Sequence, residues 1–87
     1  MLATIVCSRR FDARLFSFPV AVRHAIESEL HALAARLETF PHQKLKGVDA
    51  FKLRVGNYRV IYEFDRTEGR IHVLAFGDRK DIYKRVL

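Results

Sequence analysis

Three cations fall in the stretch Phe51-Lys-Leu-Arg-Val-Gly-Asn-Tyr-Arg-Val-Ile-Tyr62, and their spacing decides where they point. Gly56-Asn57 is a two-residue hairpin signal between two runs of strand character. Closing the chain there sets Val55 against Tyr58, Arg54 against Arg59, Leu53 against Val60, Lys52 against Ile61 and Phe51 against Tyr62. Side chains alternate across a sheet, and directly opposed residues share a face. Lys52, Arg54, Arg59 and Glu63 therefore project from one side. Phe51, Leu53, Val55, Tyr58, Val60 and Tyr62 form an apolar surface on the other. Like charges directly opposed destabilise a hairpin by roughly 0.2–1 kcal/mol per pair, so Arg54 against Arg59 is a poor choice for stability alone. A bound polyanion offsets the repulsion, and cations on a rigid sheet suit phosphate recognition. The plain alternative is a solvated basic face partly balanced by Glu63. Glu63 itself reads as a catalytic base or, more readily, as an ion-pair partner of the diagonal Lys52.

Arg79 and Tyr83 are four positions apart and share a face if the tail is helical. A phenol beside cations can stack on an unpaired base or take part in proton transfer. Packing against the sheet is the other use of Tyr83. The remaining chemistry-bearing residues converge less well. His24, His31, His42 and His72 with Cys7 make no HxxxH or CxxC pair, so neither a metal site nor a cofactor is expected. His24 and His31 read as surface helix positions, and Phe11, Phe16 and Phe18 as core.

The elements that must carry these residues follow from pattern. Thr4–Cys7 is a short β-branched run that suits a first strand. Ser8 or Asp12 can cap a short helix to about Phe16. Ser17-Phe18-Pro19 starts a second helix, in which Ile26, Leu30, Leu33 and Leu37 form an apolar stripe opposite Arg23, Glu27, Arg36 and Glu38. It is expected to run to Glu38, with Pro41 ending it. After the hairpin, a turn over residues 65–70 leads to a third strand, Ile71–Phe76. Gly77-Asp78 is expected to break that strand, with Asp78 capping a last helical turn. The expectation is an α+β domain: an N-terminal strand and two helices packed on an antiparallel meander, with a short C-terminal helical tail.

Size and charge bound the function. The chain has 87 residues, enough for one domain spanning residues 1–87, with 49% hydrophobic and 30% charged residues. So short a chain buries only roughly 60–65% of its unfolded surface, which makes its stability marginal or partner-assisted. Dinucleotide-binding folds and large multidomain enzymes are excluded. No apolar run reaches a membrane span, the start carries no signal-peptide pattern, and the single Cys7 suits a reducing cytoplasm. Of the net charge of +6, residues 1–43 carry five Lys/Arg against four Asp/Glu, and residues 44–87 carry eleven against six. Any polyanion should therefore meet the second half.

The runs Lys44-Leu-Lys-Gly47, Phe51–Tyr62 and Gly77-Asp-Arg-Lys-Asp-Ile-Tyr83, in this order and spacing, closely resemble the RelE branch of the RelE/ParE toxin superfamily. The resemblance implies the toxin of a type II toxin–antitoxin pair, a ribosome-dependent mRNA endonuclease that inhibits translation. It implies cutting without a metal, by attack of the mRNA's 2′-OH on the adjacent phosphorus. Carried over by motif, the catalytic positions are Lys52, Arg54, Arg59, Arg79 and Tyr83. Arg54, Arg59 and Arg79 would hold the phosphate and stabilise charge on its oxygens. Lys52 is the candidate base for the 2′-OH, and Tyr83 would stack on the downstream base or share in the proton transfer. Lys44, Lys46, Lys80 and Lys84 are the accompanying RNA-binding candidates. The implied partners are a cognate antitoxin, acidic in character, and the ribosome with its mRNA, and no membrane. One departure is visible: many relatives have His before the third motif's arginine, where this chain has Asp78. That substitution removes a possible general acid and leaves a catalytically weak RNA-binding homologue as one alternative; a gyrase inhibitor of the ParE branch, which shares the fold, is the other.

Overall fold

The computed structural model describes residues 2–78; Met1 and residues 79–87 lie outside the described residues. The elements are β1 (Thr4–Cys7), α1 (Arg9–Phe16), α2 (Val20–Ala35), β2 (Gln43–Lys44), β3 (Phe51–Val55), β4 (Tyr58–Asp65) and β5 (Arg70–Asp78). The strands form one sheet in the order β1-β5-β4-β3-β2. β3, β4 and β5 make the expected antiparallel meander, and β1 lies parallel to β5. Sequence pattern did not reveal β2, which is only two residues long and pairs with β3. Two helices packed on a mixed five-stranded sheet give the expected α+β class. The expected helical tail lies outside the described residues.

Each helix starts where local chemistry favours it. Ser8 caps α1, its Oγ accepting the Phe11 N–H at 3.1 Å, and Asp12 sits inside the first turn. α2 begins immediately after Pro19, whose missing N–H costs nothing at a helix start. It stops at Ala35, short of the expected Glu38, because Arg36 leaves helical geometry at φ −129° and ψ 32°. The chain then turns tightly, and the Thr39 and Phe40 N–H groups both bond to the Arg36 carbonyl. Leu37 stays buried through that turn, so Ile26, Leu30, Leu33 and Leu37 all pack into the core.

The sheet buries apolar groups on both faces. On the helix side, Leu53, Val55, Val60, Tyr62, Ile71, Val73 and Phe76 meet Phe11, Leu15 and the α2 stripe. On the opposite side a smaller cluster joins Leu45, Ala50, Ile61 and Ala75, with Val48 and Leu74 packed against it. Residues 45–50 thus fold over the middle of that face. Their cover stops short of the β3–β4 turn.

Two expectations change here. Phe16 is not core: it is 78% exposed, and the Arg23 guanidinium lies over its ring at 5.1 Å. Phe11 and Leu15 are four apart and take the inward side of α1, so Phe16, one residue on, is rotated out. Nor does Gly77-Asp78 break the third strand. β5 continues through both residues, because β4 is long enough to pair them: Gly77 faces Arg59 and Asp78 faces Tyr58.

Candidate nucleic-acid interface

The hairpin register is the one that the sequence implies, residue for residue from Phe51↔Tyr62 to Val55↔Tyr58. Gly56 has φ +60° and Asn57 a negative φ, the arrangement of a type II′ turn with glycine in its first central position. That turn matches the strands' own twist and locks the pairing. A slip of one residue would move every cation to the helix side.

Two rows of side chains follow on the face away from the helices. Nearest the turn, Arg54 of β3, Arg59 of β4 and Gly77 of β5 lie side by side. The next row is Gln43, Lys52, Ile61 and Ala75. Lys52 and Arg54 are two residues apart on one strand, about 7 Å along it. Ile61 and Ala75 are sealed under residues 45–50, so the second row is open only near Lys52. In the first row Arg54 is exposed, Arg59 half-buried and Gly77 buried. A glycine inside a strand marks close approach by another group, a signal present in the sequence that pattern reading took for a strand end.

The electrostatics of this face are unbalanced. The Arg54 Nε–H donates to the Gly56 carbonyl at 3.4 Å, and Arg59 Nη1 donates to the Tyr58 carbonyl at 3.3 Å. Both bonds are long. Among the described residues no carboxylate pairs with Lys52, Arg54 or Arg59; the ion pairs are Lys44–Asp49 at 3.8 Å and Arg70–Glu68 at 4.0 Å. The expected Lys52–Glu63 ion pair does not form. Glu63 is only a diagonal neighbour of Lys52 and lies instead directly across from His72, at the rim of a cleft of about 270 Å³. Asp78 shares the side of Tyr58, toward the helices, and so stands away from the cation rows.

The other sequence candidates separate. Lys44 faces Phe51 across the β2–β3 ladder, which places it on the helix side at the sheet's edge, where it pairs with Asp49. Lys46 is exposed on the segment that covers the second cluster. Arg79, Lys80, Tyr83 and Lys84 lie outside the described residues. His42 is structural: its Nε2 bonds to the Leu37 carbonyl at 2.8 Å, and its Nδ1 meets the Tyr62 hydroxyl at 2.6 Å. Its ring also stacks on Phe64 with centroids 4.1 Å apart. Burial pushes the Tyr62 phenol from 10.0 up to about 12. The Cys7 thiol is pushed up as well, first by burial and then by Asp12 and Glu27, which keeps it protonated and a poor nucleophile. What the geometry can do chemically is bind and polarise a phosphodiester.

Two helices packed on a five-stranded mixed sheet match the architecture of solved RelE structures. A family model described as the ParE toxin of the type II toxin–antitoxin system parDE matches residues 7–83. The chain belongs to that family, within the RelE/ParE superfamily, and is a type II toxin–antitoxin toxin. The archaeal RelE–RelB complex from Pyrococcus horikoshii is similar in structure, with a TM-score of 0.77 and 25% identity over 93% of this chain and 99% of that one. The isolated Escherichia coli RelE toxin gives a TM-score of 0.74 with 19% identity, over 98% of this chain and 99% of that one. RelBE2 from Mycobacterium tuberculosis gives 0.75 with 17% identity, over 91% and 100%. At these lower identities the likeness is one of fold. No curated protein matches the chain in sequence.

Proposed function

We propose that this toxin is a ribosome-dependent endoribonuclease that cuts mRNA without a metal. The observation that carries the reading is the hairpin face: Lys52, Arg54 and Arg59 share it, and no carboxylate among the described residues neutralises them. In the proposed reaction the 2′-oxygen attacks the adjacent phosphorus and the bond from phosphorus to the 5′-oxygen breaks. A 2′,3′-cyclic phosphate and a 5′-OH result. Arg54 and Arg59, joined by Arg79, hold the phosphate and stabilise the charge that builds on its oxygens. Lys52 takes the 2′-OH proton, and Tyr83 stacks on the downstream base or shares in the proton transfer. Lys46, Lys80 and Lys84 add longer-range attraction to the RNA backbone. General acid–base catalysis supplies about 10²–10⁴-fold, so much of the rate must come from orienting the mRNA, which is the ribosome's part. Asp78 is no obstacle, because the strand alternation turns it away from the phosphate.

The test is a translating extract with mRNA 5′ ends mapped after the purified toxin is added. Codon-phased cuts that vanish in Lys52→Ala with Arg79→Ala support the mechanism. Intact mRNA, or cuts that persist in that variant, refute it. The partner that fits is an acidic antitoxin covering the basic face, as the RelB chains accompany RelE in the P. horikoshii and other neighbouring complexes. Work on ribosomes places the toxin in the cytoplasm, and no helix among the described residues is long and apolar enough to cross a membrane. The ParE description of the matching family favours one second reading, a gyrase inhibitor without nuclease chemistry. Expression that damages DNA while mRNA stays intact would select it.

A further inference from the structure

Among the described residues, β5 has no strand on its outer edge beyond Val73, because β1 pairs with Arg70 to Val73. Helix α1 takes over there. The Ser8 N–H donates to the Val73 carbonyl at 3.1 Å, and Ser8 Oγ donates to the Leu74 carbonyl at 3.1 Å. Leu74 is the residue at which the β4–β5 register shifts, so the ladder is irregular where Ser8 grips it. One turn and a half further along α1, the Arg14 Nε–H donates to the Phe76 carbonyl at 3.0 Å. Its guanidinium lies 5.6 Å from the Phe18 ring and 5.9 Å from the Phe76 ring. Phe11 meets Phe76 edge-on, with centroids 5.5 Å apart. Side chains thus replace a missing strand.

We propose that Arg14 is a positioning residue for the cation site, holding the end of β5 through the Phe76 carbonyl. The inference rests on the endonuclease reading. The next residue, Gly77, lies directly beside Arg59, and Arg79 is separated from Gly77 by Asp78 alone. An unpaired edge would let this strand end fray, since exposed carbonyls bond equally well to water. Arg14 prevents that from the helix side, with its backbone four residues short of Phe18 and far in sequence from the cations. Among the described residues its side-chain contacts are the Phe76 carbonyl and the Phe18 and Phe76 rings. Arg14 has no carboxylate partner among the described residues, its guanidinium is held by the carbonyl it binds, and a Lys would keep the charge but not the guanidinium geometry.

The experiment compares wild type with Arg14→Lys and Arg14→Ala in three readouts: cutting of ribosome-bound mRNA, hydrogen exchange of a peptide covering residues 74–78, and thermal unfolding. Displacements of about 1 Å at a reacting centre can cost 10²-fold, so the expected loss in maximal cutting rate is about ten- to a hundredfold, at an unchanged half-saturating ribosome concentration. Exchange should rise in residues 74–78 while Arg14→Lys remains folded. Made on an Arg79→Ala background, Arg14→Lys should cost little more; on a Lys52→Ala background it should cost its full share. Equal losses on both backgrounds, or unchanged exchange at 74–78, overturn the proposal. If the wild-type toxin cuts no mRNA on ribosomes, the endonuclease reading falls, and the exchange result alone then decides whether Arg14 holds the strand end.

Discussion

Replacing Arg54 by Thr should make the toxin more stable and less active at once. Arg54 and Arg59 are direct cross-strand partners, one step from the hydrogen-bonded pair that closes the turn. They therefore form the non-hydrogen-bonded type of pair, in which side chains approach more closely. Among the described residues their tethers are the two long carbonyl bonds, and no carboxylate screens them. Opposed like charges cost roughly 0.2–1 kcal/mol, and Thr suits a strand at least as well as Arg. For a domain of this size 1 kcal/mol moves Tm by about 4–8 °C, so Arg54→Thr should raise it by about 1–8 °C in low salt. At 1 M salt the Debye length shrinks to about 3 Å and the gain should fade. On the proposed mechanism, cutting of ribosome-bound mRNA should fall at the same time, since Arg54 would no longer hold the phosphate. Calorimetry in two salt concentrations, run beside the cutting assay, reads both effects. A variant that is less stable in low salt, or one that keeps full activity, refutes the reasoning that this pair is held for an anion and against stability.

Three other outcomes follow from particular contacts. Tyr62→Phe should cost about 1–2 kcal/mol in denaturant unfolding near neutrality, because it leaves the half-buried His42 Nδ1 without its hydroxyl partner. Since the folded phenol ionises only at about 12, the unfolded chain loses its Tyr62 proton first as pH rises from 10; wild-type stability falls between pH 10 and 12, by about 3 kcal/mol at most, and its margin over Tyr62→Phe should close there. Gly56→Ala meets no neighbouring atom, so its cost is purely the φ of +60°, about 1–2 kcal/mol by equilibrium unfolding, and a negligible loss would show that the turn is not type II′. Binding to a single-stranded RNA should weaken with salt at a log–log slope of about −3 if Lys52, Arg54, Arg59 and Arg79 each meet a phosphate, and a slope near zero would remove any RNA reading.

The hairpin was legible because its information is local. Gly56-Asn57 fixes the turn, alternation fixes the faces, and both survive any tertiary arrangement, so the register and the cation face came out as read. The α2 stripe was legible for the same reason. What pattern could not supply was the partner of each group. Ile61 sits at a position of the same parity as Arg59 and Glu63, and only the fold reveals that residues 45–50 cover it. The Lys52–Glu63 pair looked sound from spacing, yet diagonal neighbours need both side chains to lean inward, and here Glu63 lies opposite His72. Phe16 was misplaced because a helix of eight residues has too few turns for its inner side to be read from apolar content alone. The β5 extension was missed because Gly-Asp is a turn signal in isolation, and the strand's continuation depends on β4 and on α1, both distant in sequence.

The two faces of the sheet divide the work in a way that a chain this small makes necessary. Both helices of the described residues lie on one side, and there the core takes in every large apolar side chain of the meander that the register turns inward. The other side keeps only the cluster under residues 45–50, which anchors the middle of the sheet and ends before the turn. Extending that cover over Arg54 and Arg59 would bury two guanidinium groups without partners, at a cost of several kcal/mol per ion. Leaving them open costs only the cross-strand repulsion. The cationic row is therefore stable enough to persist uncovered and unfavourable enough to gain from any anion that reaches it, which is the condition for a surface that binds phosphate in one state and an acidic partner in another.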